Sequence, residues 1–362
     1  MKIGLLGGGQ LGRMIALAGY PLGLRFRALD LSPEAPAGQL AELMVADFND
    51  VDALKRFAAG LDLVTYEFEN VPVDTARFLS ERLPVYPPPE ALEAAQDRVA
   101  EKTFFQNLGI PTPPFVQLDS WEEFEAAIEQ IGLPAVLKTR RFGYDGKGQY
   151  ELREPDEIAA AWRSLNGVPL ILEGFVTFER EVSIIAVRGR AGETAFYPLV
   201  ENHHREGMLR LSLAPSPNLT DDLQSMAEDY ATRVLNRLNY VGVLAIEFFE
   251  REGKLFANEM APRVHNSGHW TIEGAETSQF ENHIRAIAGW PIGSTALAGV
   301  SAMVNVIGNI PDIRALINIK DVHIHLYGKA ARPNRKLGHI NIRSKDMQSL
   351  RARMAEVRAL VD

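Results

Sequence analysis

Short apolar runs, punctuated by glycine, proline and charge, divide this chain into strands and helices. Lys2 to Leu6 reads as a buried strand, and it ends in Gly7-Gly8-Gly9-Gln10-Leu11-Gly12. Arg13 to Ala18 follows with helical spacing, Arg25 to Leu29 is a second strand ending at Asp30, and Leu61 to Tyr66 is a third ending in Glu67-Phe68-Glu69-Asn70. Strands that alternate with helices predict a parallel α/β unit. Pro84-Val85-Tyr86-Pro87-Pro88-Pro89 closes it. Glu90 to Leu108 reads as one helix, with Arg98 and Lys102 on a shared face. Helices over Trp121 to Ile131, Ile158 to Leu165 and Asp221 to Leu238 then alternate with strands at Ala135 to Arg141, Gln149 to Leu152, Leu170 to Phe178 and Glu181 to Val187. This second region predicts an antiparallel α+β domain with Lys138, Glu173 and Glu181 on successive strands. After the helix Ser278 to Ala288, the tail shows strands near Ala302 to Ile307 and His323 to Tyr327, then an amphipathic helix from Met347 to Leu360.

The most informative pair of runs is Val241 to Phe249 and Leu255 to Met260. They flank Glu250-Arg251-Glu252-Gly253-Lys254 and predict a β-hairpin. Glu247 precedes this turn and Glu259 follows it, so a one-residue bulge would set the two carboxylates side by side. Adjacent carboxylates among apolar neighbours repel unless a cation lies between them. Oxygen-only ligands suit Mg²⁺, which completes its shell with water and substrate phosphates. Asn258 and Arg263 flank the pair. A solvated edge hairpin would need no cation, so the spacing alone leaves both readings open.

Two glycine segments carry candidate phosphate chemistry. Gly7 to Gly12 with Asp30 matches the dinucleotide-binding pattern and taken alone predicts NAD. Any tight strand-to-helix turn needs the same glycines. Phe142-Gly143-Tyr144-Asp145-Gly146-Lys147-Gly148 joins two strands, and Lys147 is followed by Gly148 rather than Ser or Thr, so it is not a Walker loop. Its backbone N–H groups can still cover a phosphate. In the tail, Lys329, Arg332, Arg335, Lys336, Arg343 and Lys345 occur with no acidic residue between the first and the last. That local cationic patch suits a phosphate monoester.

Composition narrows the class. The 362 residues suffice for two or three domains, and 46% hydrophobic with 23% charged content is ordinary for a globular enzyme. A net charge of −9 argues against a nucleic-acid partner, and the absence of cysteine excludes thiolate ligands and nucleophiles. No apolar run approaches the roughly 18 residues of a membrane span. The start of the chain lacks signal-peptide architecture, so the expectation is a cytoplasmic enzyme without membrane contact.

The order of these motifs resembles the ATP-grasp superfamily. Within it, GGGQLGRM near the start, TYEFENV at 65–71, RRFGYDGKGQ at 140–149, NEMAPRVHNSGHWT at 258–271 and HLYGKAARPNRKLGHI at 325–340 resemble the N5-carboxyaminoimidazole ribonucleotide synthases, along the whole chain. The resemblance implies an α/β and α+β ATP-grasp fold. A Rossmann-like pre-grasp domain would span 1–95, the grasp domain 96–295 with a lid at about 112–175, and a small C-terminal β-rich domain 296–362. It implies ATP- and bicarbonate-dependent carboxylation of 5-aminoimidazole ribonucleotide through carboxyphosphate, in purine biosynthesis, by a homodimer using Mg²⁺, or Mn²⁺ in its place. For ATP it implies Arg98, Lys138, Gly143, Tyr144, Asp145, Gly146, Lys147, Gly148, Gln149, the hinge Glu173, Gly174, Phe175 and Val176, then Glu181, His204, Asn258 and Glu259. Glu247 and Glu259 would hold the metal. Gln10, Leu11, Glu67, Tyr144, Asn266, Lys329, Arg335 and Lys336 would hold the nucleotide substrate. Arg263 would stabilise the carboxyphosphate, and His265 or Asp145 would manage the amine proton. The competing readings are a formate-dependent phosphoribosylglycinamide formyltransferase, an NAD-dependent oxidoreductase built on the first 90 or so residues, and a non-catalytic nucleotide sensor.

Overall fold

The computed structural model describes residues 1–143, 146–165 and 167–361. Among the described residues three sheets carry the fold. The first is fully parallel, in the order Glu42–Val45, Arg25–Asp30, Lys2–Leu6, Leu63–Tyr66. Lys2–Leu6 and Leu63–Tyr66 are almost wholly buried, as their continuous apolar runs require of inner parallel strands. The edge strand Glu42–Val45 is only partly covered and lacks that signature, which is why the apolar pattern does not predict it.

The helix expected over 90–108 is two helices, Pro89–Ala95 and Arg98–Asn107. Asp97 breaks them: its backbone is extended and its carboxylate accepts the N–H groups of Val99 and Ala100. An N-cap of this kind starts a new helix inside a stretch of otherwise continuous helical propensity. Arg98 therefore opens a helix, with Lys102 one turn on.

The second sheet is antiparallel, in the order Phe115–Leu118, Leu170–Gly174, Ala135–Thr139, Gln149–Leu152. Helices Trp121–Ile131 and Ile158–Leu165 cover it, and Phe124 stacks on Trp162 at 5.5 Å between ring centres. This lid holds Lys138 and Glu173. Glu181 lies elsewhere, on Arg180–Arg188 in the third sheet, so the expectation of one sheet carrying all three is corrected.

The third sheet runs Lys254–Ala261, Gly242–Arg251, Arg180–Arg188, Val200–Arg205, Met208–Ala214, Val300–Ile307, Lys336–Ser344, Val322–Leu326, with Thr194–Phe196 added beside Arg180–Arg188. Arg180–Arg188 is apolar on both faces because both are buried. Val182, Ile184 and Ala186 meet the helix Asp221–Arg237, while Ile185 and Val187 share a core with the helices Gln10–Gly19 and Gln279–Ala288. The tail strands continue the same sheet and are backed by the helix Met347–Val361. Lys336–Ser344, which reads in sequence as part of a cationic patch, is one of these strands. The hairpin turn is tighter than the five polar residues suggest. Glu252 and Gly253 both have positive φ, at 53° and 69°, the backbone signature of a two-residue turn that matches strand twist. No helix among the described residues is long and apolar enough to cross a membrane.

Candidate active site

The carboxyl ends of the parallel strands face the hairpin and the tail across a cavity of about 700 Å³. Leu6 pairs with Tyr66, so Gly7 and Glu67 leave the sheet side by side. The buried Glu67 carboxylate accepts the N–H of Gly9 at 2.5 Å and of Gly12 at 2.8 Å. Burial pushes its pKa up, against the pull of those two amides. A Cβ on Gly9 would sit 2.3 Å from the Glu67 Oε1. These are amides that a dinucleotide pyrophosphate would need, and a carboxylate already fills them. Asp30 in turn accepts from Gly8 and Ser32 rather than awaiting a ribose. The NAD expectation fails on this geometry. Gln10 and Leu11 line the cavity, Lys329 donates to the Gln10 amide oxygen, and Arg335 and Lys336 lie on the same wall.

Opposite stands the acidic hairpin. Glu247 pairs directly with Glu259, and the register slips by one residue immediately after Glu247. Burial, then the charge of Glu259, raises the Glu247 pKa to about 7. Arg98 Nη1 reaches Glu259 Oε2 at 3.1 Å. Glu101, which the sequence does not single out, accepts the Met260 N–H at 2.6 Å, and burial followed by Glu259 raises its pKa to about 8. His204 bonds Glu181. Burial alone would lower the His204 pKa, but Glu181, Glu247 and Glu259 outweigh it and raise it. The Asn258 side-chain oxygen is buried without a hydrogen-bond partner among the described residues. Two crowded carboxylates, one of them reluctant to ionise, form an oxygen donor set that fits a hard divalent cation.

Behind the hairpin, Glu173 is gripped by Lys138 Nζ at 2.9 Å and Lys102 Nζ at 3.2 Å. Burial favours its protonated form, yet Lys102, Lys138 and Arg98 together bring its pKa down to about 2. Burial lowers the Lys138 pKa, with Glu173 opposing. Lys102 also donates to the Asn258 carbonyl at 3.2 Å, tying the lid to the hairpin. Gly143 and Lys147 line the cavity. Gly146 and Gly148 have φ of 76° and 71°, where a side chain is strained, and Gln149 begins the returning strand. The roles expected of Tyr144 and Asp145 lie outside the described residues. Gly174 and Phe175 already donate their N–H groups to the Pro114 and Pro134 carbonyls, so a backbone donor from this hinge must come from Val176.

At the centre, Arg263 Nε donates to Glu69 at 2.5 Å and Nη1 to the Val264 carbonyl at 3.0 Å. Arg263 holds the Glu69 carboxyl below its usual range despite burial. His265 Nε2 lies 3.5 Å from Glu247 Oε1, and burial, then Arg263, pushes its pKa well down, so the ring is neutral. Asn266 exchanges two hydrogen bonds with Asn305. Glu69, Glu101 and Lys102 are the main residues that sequence reasoning missed. The Arg98/Lys102 helical face was the signal for the last of them.

Residues 1–96 match the ribonucleotide synthetase preATP-grasp domain, 103–280 the ATP-grasp domain, and 301–353 the phosphoribosylaminoimidazole carboxylase C-terminal domain. The N5-carboxyaminoimidazole ribonucleotide synthase of Pseudomonas aeruginosa is 57% identical over 362 residues, covering 100% of both chains. That of Bacillus subtilis is 38% identical, covering 93% of this chain and 90% of the relative. The crystal structure of the Thermus thermophilus synthetase superposes with a TM-score of 0.96 at 60% identity, covering 99% of this chain and 98% of that one. The Aspergillus clavatus synthase in complex with ADP and 5-aminoimidazole ribonucleotide gives 0.93 at 30% identity, covering 100% and 98%.

Proposed function

The chain belongs to the N5-carboxyaminoimidazole ribonucleotide synthases of the ATP-grasp superfamily, and from that membership we propose how its own residues divide the work. The family's reaction is the ATP-dependent carboxylation of 5-aminoimidazole ribonucleotide in purine biosynthesis. The formyltransferase, oxidoreductase and sensor readings lapse with it. We take residues 1–95, 96–295 and 296–362 as the pre-grasp, grasp and C-terminal domains, with the lid at about 112–175, in a cytoplasmic homodimer.

The observation that carries the assignment is the Glu247/Glu259 pair. It is flanked by Arg98 on the lid side and by Arg263 and His265 on the substrate side, all on one cavity. ATP binds with its base at the Glu173 to Val176 hinge, its ribose at Glu181 with His204, and its phosphates at Arg98, Lys138, Asn258 and the 143–149 hairpin. Glu247 and Glu259 hold Mg²⁺, or Mn²⁺ in its place. The metal supplies charge neutralisation for the phosphates when bound. The substrate nucleotide places its phosphate on Lys329, Arg335 and Lys336 and its ring near Gln10, Leu11, Glu67 and Asn266, with Tyr144 closing over it.

Bicarbonate and a triphosphate are both anions, so their encounter depends on cations that neutralise and align them. A bicarbonate oxygen attacks the γ-phosphorus as the bond to ADP breaks. Positioning of this kind contributes about 7–11 kcal/mol. The product is carboxyphosphate. The substrate's amine nitrogen then bonds to its carbonyl carbon, phosphate leaves, and the amine gives up a proton to a base. Arg263 stabilises the carboxylate charge throughout, since Glu69 and Val264 fix its Nε and Nη1. Carboxyphosphate hydrolyses readily, so lid closure has to exclude water.

Steady-state kinetics test this. Glu259→Gln should abolish ATP turnover. Lys329→Ala or Arg335→Ala should mainly raise KM for the nucleotide substrate. The reverse pattern would show that the two halves of the site are assigned the wrong way round.

A further inference from the structure

The imidazole of His265 is held from behind by a chain of buried polar groups that the reaction does not itself require. The main-chain N–H of Ser267 donates to His265 Nδ1 at 3.3 Å. A main-chain amide can only donate, so Nδ1 carries a lone pair and the ring proton sits on Nε2. Ser267 Oγ lies 2.9 Å from the same Nδ1 and must donate there too. The Ser183 hydroxyl donates to Ser267 Oγ at 2.8 Å, Asn202 Nδ2 donates to Ser183 Oγ at 2.9 Å, and the Ser212 hydroxyl donates to Asn202 Oδ1 at 2.8 Å. These four side chains are almost fully buried. Three of them come from neighbouring strands of the large sheet. The chain has one consistent direction, with every link from Asn202 onward pointing its hydrogen toward His265. The main chain of His265 is clamped as well: its N–H donates to Gln279 Oε1 at 2.9 Å and its carbonyl accepts from Gln279 Nε2 at 2.6 Å.

A polar chain buried in an apolar sheet is costly unless every member is satisfied, and when satisfied it fixes one arrangement. Here the arrangement fixed is that of a ring whose other nitrogen faces Glu247 and the cavity. We propose that Asn202, Ser183 and Ser267 are positioning residues that lock His265 as an Nε2–H donor toward Glu247 and the reacting carboxyl group, so that His265 does not accept the amine proton. Nε2 already holds a hydrogen, and Nδ1 is turned away into the Ser267 cap. The proposal rests on the placement of His265 at the carboxyphosphate site.

Long-range ¹H–¹⁵N spectra of the intact, ¹⁵N-histidine-labelled protein test the tautomer without any turnover. His265 is assigned as the ring missing from His265→Gln. A ring protonated on Nε2 alone is expected, and a ring protonated on Nδ1, on both nitrogens, or averaging between them overturns the proposal. Asn202→Asp keeps the shape but makes the group acceptor-only toward Ser183. It should draw the Ser183 hydroxyl away from Ser267, loosen the ring without moving its proton from Nε2, which the Ser267 amide holds there, and lower kcat with little change in KM for ATP. Kinetics separate donor from base. His265→Gln retains a donor that cannot take a proton, and it should keep at least about tenfold more kcat than His265→Ala. Equal losses would overturn the donor role. If the spectrum shows Nε2–H and neither variant affects carboxylation, the tautomer stands and the placement of His265 at the reacting group falls.

Discussion

Glu173 offers the most direct test of how charge is stored behind the site. It is buried with two lysines within 3.2 Å and Arg98 nearby, and its environment takes its pKa from 4.5 to about 2. By linkage, that drop corresponds to about 3 kcal/mol of folding stability near neutral pH. Removing one partner of a buried ion pair typically costs about 3–5 kcal/mol, a similar figure reached independently. Glu173→Gln preserves volume, so no cavity adds to the loss. It leaves Lys102 and Lys138 facing each other without an anion. Urea unfolding followed by tryptophan fluorescence suits the measurement, because Trp121 and Trp162 pack 5.7 Å apart in the same lid. The variant should be about 3 kcal/mol less stable at neutral pH. Since the folded carboxyl is the depressed one, this contribution is present above 4.5 and lost as pH falls from there toward about 2. The gap between wild type and variant should therefore narrow in acid. Adding Lys102→Met to the variant removes one orphaned cation and should recover part of the loss. A gap under about 1 kcal/mol, or one that stays constant on acidification, would refute the reasoning.

Four further outcomes follow from the same geometry. Gly9→Ala would place a Cβ 2.3 Å from Glu67 Oε1 and displace that carboxylate from the Gly9 and Gly12 amides, so KM for 5-aminoimidazole ribonucleotide should rise at least about tenfold and the melting temperature should fall. His204 has a pKa raised above 6.5, so its pairing with Glu181 stabilises the fold below 6.5 and fades as pH rises through the folded value. His204→Gln should accordingly cost more stability in mildly acidic than in alkaline buffer, as read by denaturant titration. Chelating Mg²⁺ should stop ATP cleavage. Calorimetric Mg²⁺ affinity should weaken as pH falls through about 7, where Glu247 takes up a proton and can no longer ligate.

Local features of the site could be read from sequence wherever one element contained them. The Glu247/Glu259 pairing needed only strand alternation, one bulge and a short turn. The glycine hairpin was legible as a strand–loop–strand, and its failure to match a Walker loop was decided by Lys147-Gly148. What escaped were pairings across the fold. Glu69 looks like a solvated loop residue because its partner Arg263 is 194 positions away. Lys102 is visible on a helical face, but its anion comes from the lid and its carbonyl partner from the hairpin. The dinucleotide pattern misled for the same reason, since Glu67, which fills the Gly9 and Gly12 amides, sits on a different strand. The break at Asp97 was hidden because its flanks are both good helix formers and only the cap decides.

On the proposed reading, this cavity couples ATP cleavage to carboxylation of the nucleotide amine. The measurement that tests it most directly is ADP release from Mg²⁺-ATP and 5-aminoimidazole ribonucleotide in bicarbonate-depleted buffer, followed by bicarbonate addition. ADP release should rise on addition, and an acid-labile carboxylated nucleotide should form in step with it. ADP release that is indifferent to bicarbonate, or that proceeds without the carboxylated product, would contradict it.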